Sequence, residues 1–138
     1  MAIDMANQEI VGWASEEIPG QDFLYLRIHE ANLCPDGTPN PGAFRNRPDK
    51  LKDGMSTDWD KYSNPAQTRD RAHEPYKNKV VKMNVGEVRL IPQQIVKHTP
   101  DLENHNRAHT DVFGPKDTEA RVLFRRICAF VELPATGV

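Results

Sequence analysis

The most regular pattern in the chain is Asp22-Phe23-Leu24-Tyr25-Leu26-Arg27-Ile28-His29, where aliphatic residues recur at every second position. Period-two alternation rich in aromatic and branched side chains, bounded by turn signals, predicts a β-strand. In a strand, Leu24, Leu26 and Ile28 share one face, and Phe23, Tyr25, Arg27 and His29 share the other. The aliphatic face is the natural core face. Upstream, residues 1–20 are polar apart from Ile10-Val11-Gly12-Trp13 and end at Ile18-Pro19-Gly20. They read as an N-terminal arm or short strand leading into a single domain over residues 21–138.

From residue 32 to about 62 the pattern dissolves into Pro35-Asp36-Gly37, Pro39-Asn40-Pro41-Gly42 and a charged run from Arg45 to Lys52. Few apolar residues are left to form a buried face, so the expectation is one long proline-rich loop, pinned by Phe44, Met55 and Trp59. Loops of that length in small domains serve function or are disordered. Asn64-Pro65-Ala66-Gln67 offers a cap residue, proline at the first helical position and Gln three after the cap, which predicts a helix of two or three turns ending near Tyr76. Residues 80–85 and 93–99 read as strands around a turn or short helix at 86–91, and residues 108–114 as a weaker strand. Capping residues Lys116-Asp117-Thr118-Glu119 then open a helical repeat of Ala120, Leu123, Phe124, Ile127, Phe130 and Val131. The fold class that follows is α+β: a small, mainly antiparallel sheet packed with two helices and a long proline-rich loop.

Composition narrows the partners. In 138 residues, 18 Lys+Arg oppose 20 Asp+Glu for a net charge of −2, so no global field draws the chain to nucleic acid or an anionic membrane. Hydrophobic content of 38%, with 11 prolines and 8 glycines, implies a compact core and much loop. The N-terminus lacks the basic-then-apolar order of a secretory signal, no stretch is apolar enough to cross a bilayer, and Cys34 and Cys128 are too few for a disulfide framework. Two reduced thiols and a cytoplasmic setting are expected by elimination.

Candidate chemistry begins with Tyr25, Arg27 and His29 on one strand face. Arg presents a fork of donors for phosphate or carboxylate, and His exchanges protons near neutrality. The alternative is a solvated strand face whose Arg and His pair with nearby acids. His105 and His109 are four apart, but zinc needs further ligands and no CxxC pair occurs, so neither metal nor cofactor is assigned. Metal-free phosphoryl chemistry would use His29 and His109 as acid and base with Arg27 as anion clamp. Met55-Ser56-Thr57-Asp58-Trp59 groups a hydroxyl, a carboxylate and an aromatic that could close over a ligand; alternatively Ser56 or Asp58 caps a turn and Trp59 enters the core. Arg45, Arg47, Lys50 and Lys52 could contact phosphates, though Asp49 and Asp53 interrupt them. No nucleotide-binding glycine loop, nucleophile elbow or zincin motif is present.

The succession Leu26-Arg27-Ile28-His29, Pro35-Asp36-Gly37, Ala43-Phe44-Arg45, Met55-Ser56-Thr57-Asp58, the 80–85 strand with Gly86, and Asn106-Arg107-Ala108-His109 resembles a group of small uncharacterised bacterial proteins. That group has proline where this chain has Arg107. The resemblance implies Arg27, His29, Ser56, Asp58 and His109 as the positions of any site. The sequence-level expectation is a binding module, with Tyr25, Arg27, His29 and Trp59 contacting a small anionic ligand or a protein. The rivals are a metal-independent enzyme acting on a phosphodiester or nucleotide, with catalytic candidates His29, His109, Ser56 and Asp58, and a less favoured nucleic-acid-binding module.

Overall fold

The computed structural model describes residues 12–48 and 54–135. Its centre is a six-stranded sheet formed by β1 (Phe23–His29), β2 (Met55–Trp59), β3 (Asn78–Asn84), β4 (Ile95–His98), β5 (His109–Phe113) and β6 (Ala129–Phe130). The order is β4-β5-β2-β1-β3-β6, with every neighbouring pair antiparallel. Among the described residues three short helices pack on it: α1 (Pro65–Asp70), α2 (Val85–Leu90) and α3 (Thr118–Ile127). Among the described residues no helix is long and apolar enough to cross a membrane.

β1 behaves as its alternation dictates: Leu24, Leu26 and Ile28 are buried, and the residues between them are half-exposed. Their face carries the core together with Met55, Trp59, Val81, Met83 and Val112 from neighbouring strands. Phe44 and Phe124 cover it, stacked with ring centroids 5.7 Å apart. The loop residue Phe44 thus enters the core because a proline-bearing 3-10 turn, Pro41–Ala43, is capped by the Asn40 side chain and aims it inward. α1 packs on the other side, against β1 and β3.

Several expectations need correction. The segment from 32 to 62 is not one loop, since Met55–Trp59 is a strand pairing with β1 and β5. Its alternation puts Met55, Thr57 and Trp59 on one face and Ser56 and Asp58 on the other, but the polar Thr57 masks the inward set. The Asn64 cap forms as expected, accepting from the Gln67 amide. The helix nevertheless stops at Asp70, and a separate 3-10 turn occupies Pro75–Lys77. The second strong helix ends at Ile127, so Phe130 belongs to β6 and Val131 lies beyond it. Residues 86–91 are largely taken up by a helix, one of the two forms expected there, so three helices lie among the described residues. Strands β3 and β4 are not neighbours: β5, β2 and β1 lie between them. Within the arm, residues 12–20 are described. Ile18 is buried, and the Ser15 hydroxyl donates to the His98 carbonyl at 2.6 Å.

Candidate functional site

The sheet face opposite the core carries the polar partners of these alternating strands. The β1–β2 register sets Tyr25 opposite Asp58, and Arg27, two residues on along the same face, lines a recess with Ser56. The β2–β5 register sets Asp58 opposite His109 and Ser56 opposite Asp111. Arg27, Ser56, Asp58 and His109 therefore converge on one cleft of about 460 Å³, which Arg47, Arg71, Asp101, Asn104 and Asn106 also line.

His109 is held at both ring nitrogens. Nδ1 lies 3.0 Å from the Thr99 carbonyl oxygen, which only accepts, so this nitrogen carries the proton. Nε2 then presents its lone pair to Ser56, whose Oγ is 2.9 Å away and donates. Behind the ring, the Thr99 hydroxyl donates to Asp111 Oδ2 at 2.9 Å, and Arg47 closes the chain on Asp111 Oδ1 at 2.6 Å. The backbone at Gly54 helps to make this approach possible: a Cβ there would stand 2.8 Å from Asp111 Cβ. A hydroxyl–imidazole pair results, with the imidazole tautomer fixed by a backbone carbonyl.

Asp58 is buried and accepts three hydrogen bonds. Oδ2 accepts from Thr68 at 2.8 Å and from Arg71 at 2.7 Å, and Oδ1 accepts from Asn106 at 2.8 Å. It ties α1 and the β4–β5 hairpin to β2. Arg27 differs from its neighbours. Its Nη1 donates to the Thr68 carbonyl at 2.9 Å, and among the described residues no carboxylate lies within 4 Å of its guanidinium. Burial pushes its pKa down while Asp58 pulls it back up, from so high a starting point that it stays charged at neutral pH.

The other candidates are placed differently. Tyr25 sits beside the cleft in a recess of about 90 Å³ shared with Arg27, Ser56 and Asp58, where burial and Asp60 raise its pKa. His29 lines an adjoining groove with Arg27, Arg45, Arg47 and Ser56, and its Nδ1 accepts from the Ala31 amide to cap a 3-10 turn. It does not line the cleft that holds His109. Trp59 points to the core face and is 1% exposed, with Nε1 donating to Asp22 and the ring edge-on to His98 and Tyr62. His105, exposed on the hairpin, has a left-handed backbone with φ of 54°. Arg47 is engaged by Asp111 while Arg45 is exposed, and Lys50, Lys52, Asp49 and Asp53 lie outside the described residues.

Sequence reasoning missed Arg71, Thr99, Asn106 and Asp111. The last could have been found, because His109 and Asp111 share a strand face by the same alternation that united Tyr25 and Arg27. Arg71 and Thr99 have no such local signal, since only the packing of α1 and the pairing of β4 with β5 bring them in. No protein-family model matches the chain, and neither a curated protein nor a solved structure matches it significantly.

Proposed function

We propose that this protein binds a small anionic ligand, one bearing a phosphate or carboxylate group, in the cleft between α1 and the β4–β5 hairpin. The observation that carries this reading is Arg27. Arg47 is neutralised by Asp111 and Arg71 by Asp58, each within 2.7 Å, whereas Arg27 has no carboxylate within 4 Å among the described residues. A guanidinium partly withdrawn from water with no carboxylate in ion-pair contact is stabilised by an incoming anion, and its planar fork matches oxyanion geometry. Asp101 and Asn104 line the cleft on the hairpin side, where the rest of a ligand would lie. A cytoplasmic setting is supported by Cys34 and Cys128, both free thiols.

Titration with inorganic phosphate, followed by the NMR resonances of the Ser56 and His109 amides and the Arg27 Nε–H, is the direct test. Saturable shifts are expected. Arg27→Met, which keeps side-chain bulk, should weaken binding by about 10- to 100-fold, the range of one charge-assisted hydrogen-bonding group. Shifts that fail to saturate, or equal affinity in Arg27→Met with its fold intact by circular dichroism, would overturn the reading.

A further inference from the structure

The Ser56–His109 pair has the geometry of an activated nucleophile, and it faces the same cleft as Arg27. We propose that Ser56 attacks the phosphorus of a phosphodiester held there, with His109 as general base and then general acid; this rests on the anion-binding reading above. Three observations meet in it. The Ser56 hydroxyl is 2.9 Å from His109 Nε2, within the reach required for proton transfer. The Thr99 carbonyl at Nδ1 holds the ring in the tautomer that leaves Nε2 free to accept, the orienting role that a third group plays in nucleophile–base pairs. Arg27, which lines the same cleft and recess as Ser56, supplies positive charge to the developing negative charge of the phosphoryl oxygens.

The diester follows from charge. Of the three arginines that line the cleft, Arg27 is the one with no carboxylate within 4 Å among the described residues, which matches the single negative charge of a diester. In the first half-reaction, Oγ forms a bond to phosphorus and the P–O bond to the leaving alcohol breaks. The Ser56 proton passes to Nε2 and from there to the departing oxygen. In the second, water attacks phosphorus, its proton passes through Nε2, and the P–Oγ bond breaks to restore the Ser56 hydroxyl. The sum is hydrolysis of one ester bond by one water.

The test uses bis(4-nitrophenyl) phosphate and the release of 4-nitrophenolate. Turnover proportional to protein is expected, with Ser56→Ala and His109→Gln each slower by about 100-fold or more. Because the two residues act as one unit, the double variant should be no slower than the slower single one. Recovery of Ser56 carrying a 4-nitrophenyl phosphoryl group from an acid-quenched reaction supports the covalent step. Wild-type release no faster than Ser56→Ala overturns the proposal, as does full activity in Ser56→Ala alongside an inactive His109→Gln, which would mean that His109 activates water directly. Faster hydrolysis of 4-nitrophenyl phosphate than of the diester overturns the diester assignment. Phosphate binding in Ser56→Ala separates the two ideas: binding retained without wild-type turnover leaves the anion site standing and removes the nucleophile. Ser56-dependent turnover with no saturable phosphate binding does the reverse.

Discussion

Asp58 shows how a single buried carboxylate can tie several parts of the chain to one strand. It is 3% exposed and receives Thr68, Arg71 and Asn106 from three different parts of the chain. Removing it leaves each donor without its acceptor, and an unpaired buried donor costs more than the bond itself contributed. Asp58→Ala is expected to lower stability by about 3 kcal/mol, moderated by the partial exposure of Arg71. Urea denaturation measures this, and a loss below about 1 kcal/mol would show that the three donors find water instead. His98 illustrates the converse. It resembles a functional histidine in composition but is a core residue, its Nε2 donating to the Arg107 carbonyl at 2.7 Å and its Nδ1 accepting from the Glu16 amide at 3.0 Å.

At the scale of elements, the segment 12–20 is attached to the body by a polar latch. The Glu16 carboxylate accepts from Lys61 at 2.7 Å and from the Tyr62 hydroxyl, while Arg107 stands 3.7 Å away and lies over the Tyr62 ring. The hydrogen bonds from Lys61, then Tyr62, hold the Glu16 pKa below its ordinary value. A carboxyl with a lowered folded pKa contributes anchoring that is complete above its unfolded pKa and is lost as pH falls through the folded one. Protection of the Glu16 amide, which donates to His98 Nδ1, measured relative to its intrinsic exchange rate, should therefore be high near neutral pH and fall below the usual carboxylate range. Glu16→Gln should show the lower protection already at neutral pH, and protection unchanged in that variant would remove the latch. The same scale explains why β2 was unreadable as a strand. A five-residue strand with two of its inner or outer positions held by Thr57 and Asp58 carries too little apolar contrast to announce its period, and it exists because β1 and β5 flank it.

For the molecule as a whole, the two faces of the sheet do different work. One is covered by Phe44, α2 and α3 and holds the apolar core; the other holds Arg27, Ser56, Asp58 and His109 under α1 and the hairpin. Phe124→Ala, at a fully buried position stacked on Phe44, should cost about 3–5 kcal/mol. Because the cavity opens on the far side of the sheet, phosphate affinity of the folded fraction should stay within about twofold of wild type. A larger change would mean that strain crosses the sheet.

By itself the sequence determined the elements whose physics is local. The alternation of β1, the Asn64 and Asp117 caps and the helical spacing from Ala120 to Ile127 are set by neighbours along the chain, and each appears as expected. Alternation also sufficed to put Tyr25, Arg27 and His29 on the face away from the core. Tertiary structure decided which of these polar residues meet. Antiparallel register, fixed by burying the aliphatic faces together, brings Ser56 and His109 from 53 positions apart to 2.9 Å, leaves His29 capping a turn, and sends Trp59 inward. Strand pairing is a long-range choice made by the whole core, so no local pattern around Ser56 or His109 could have specified it.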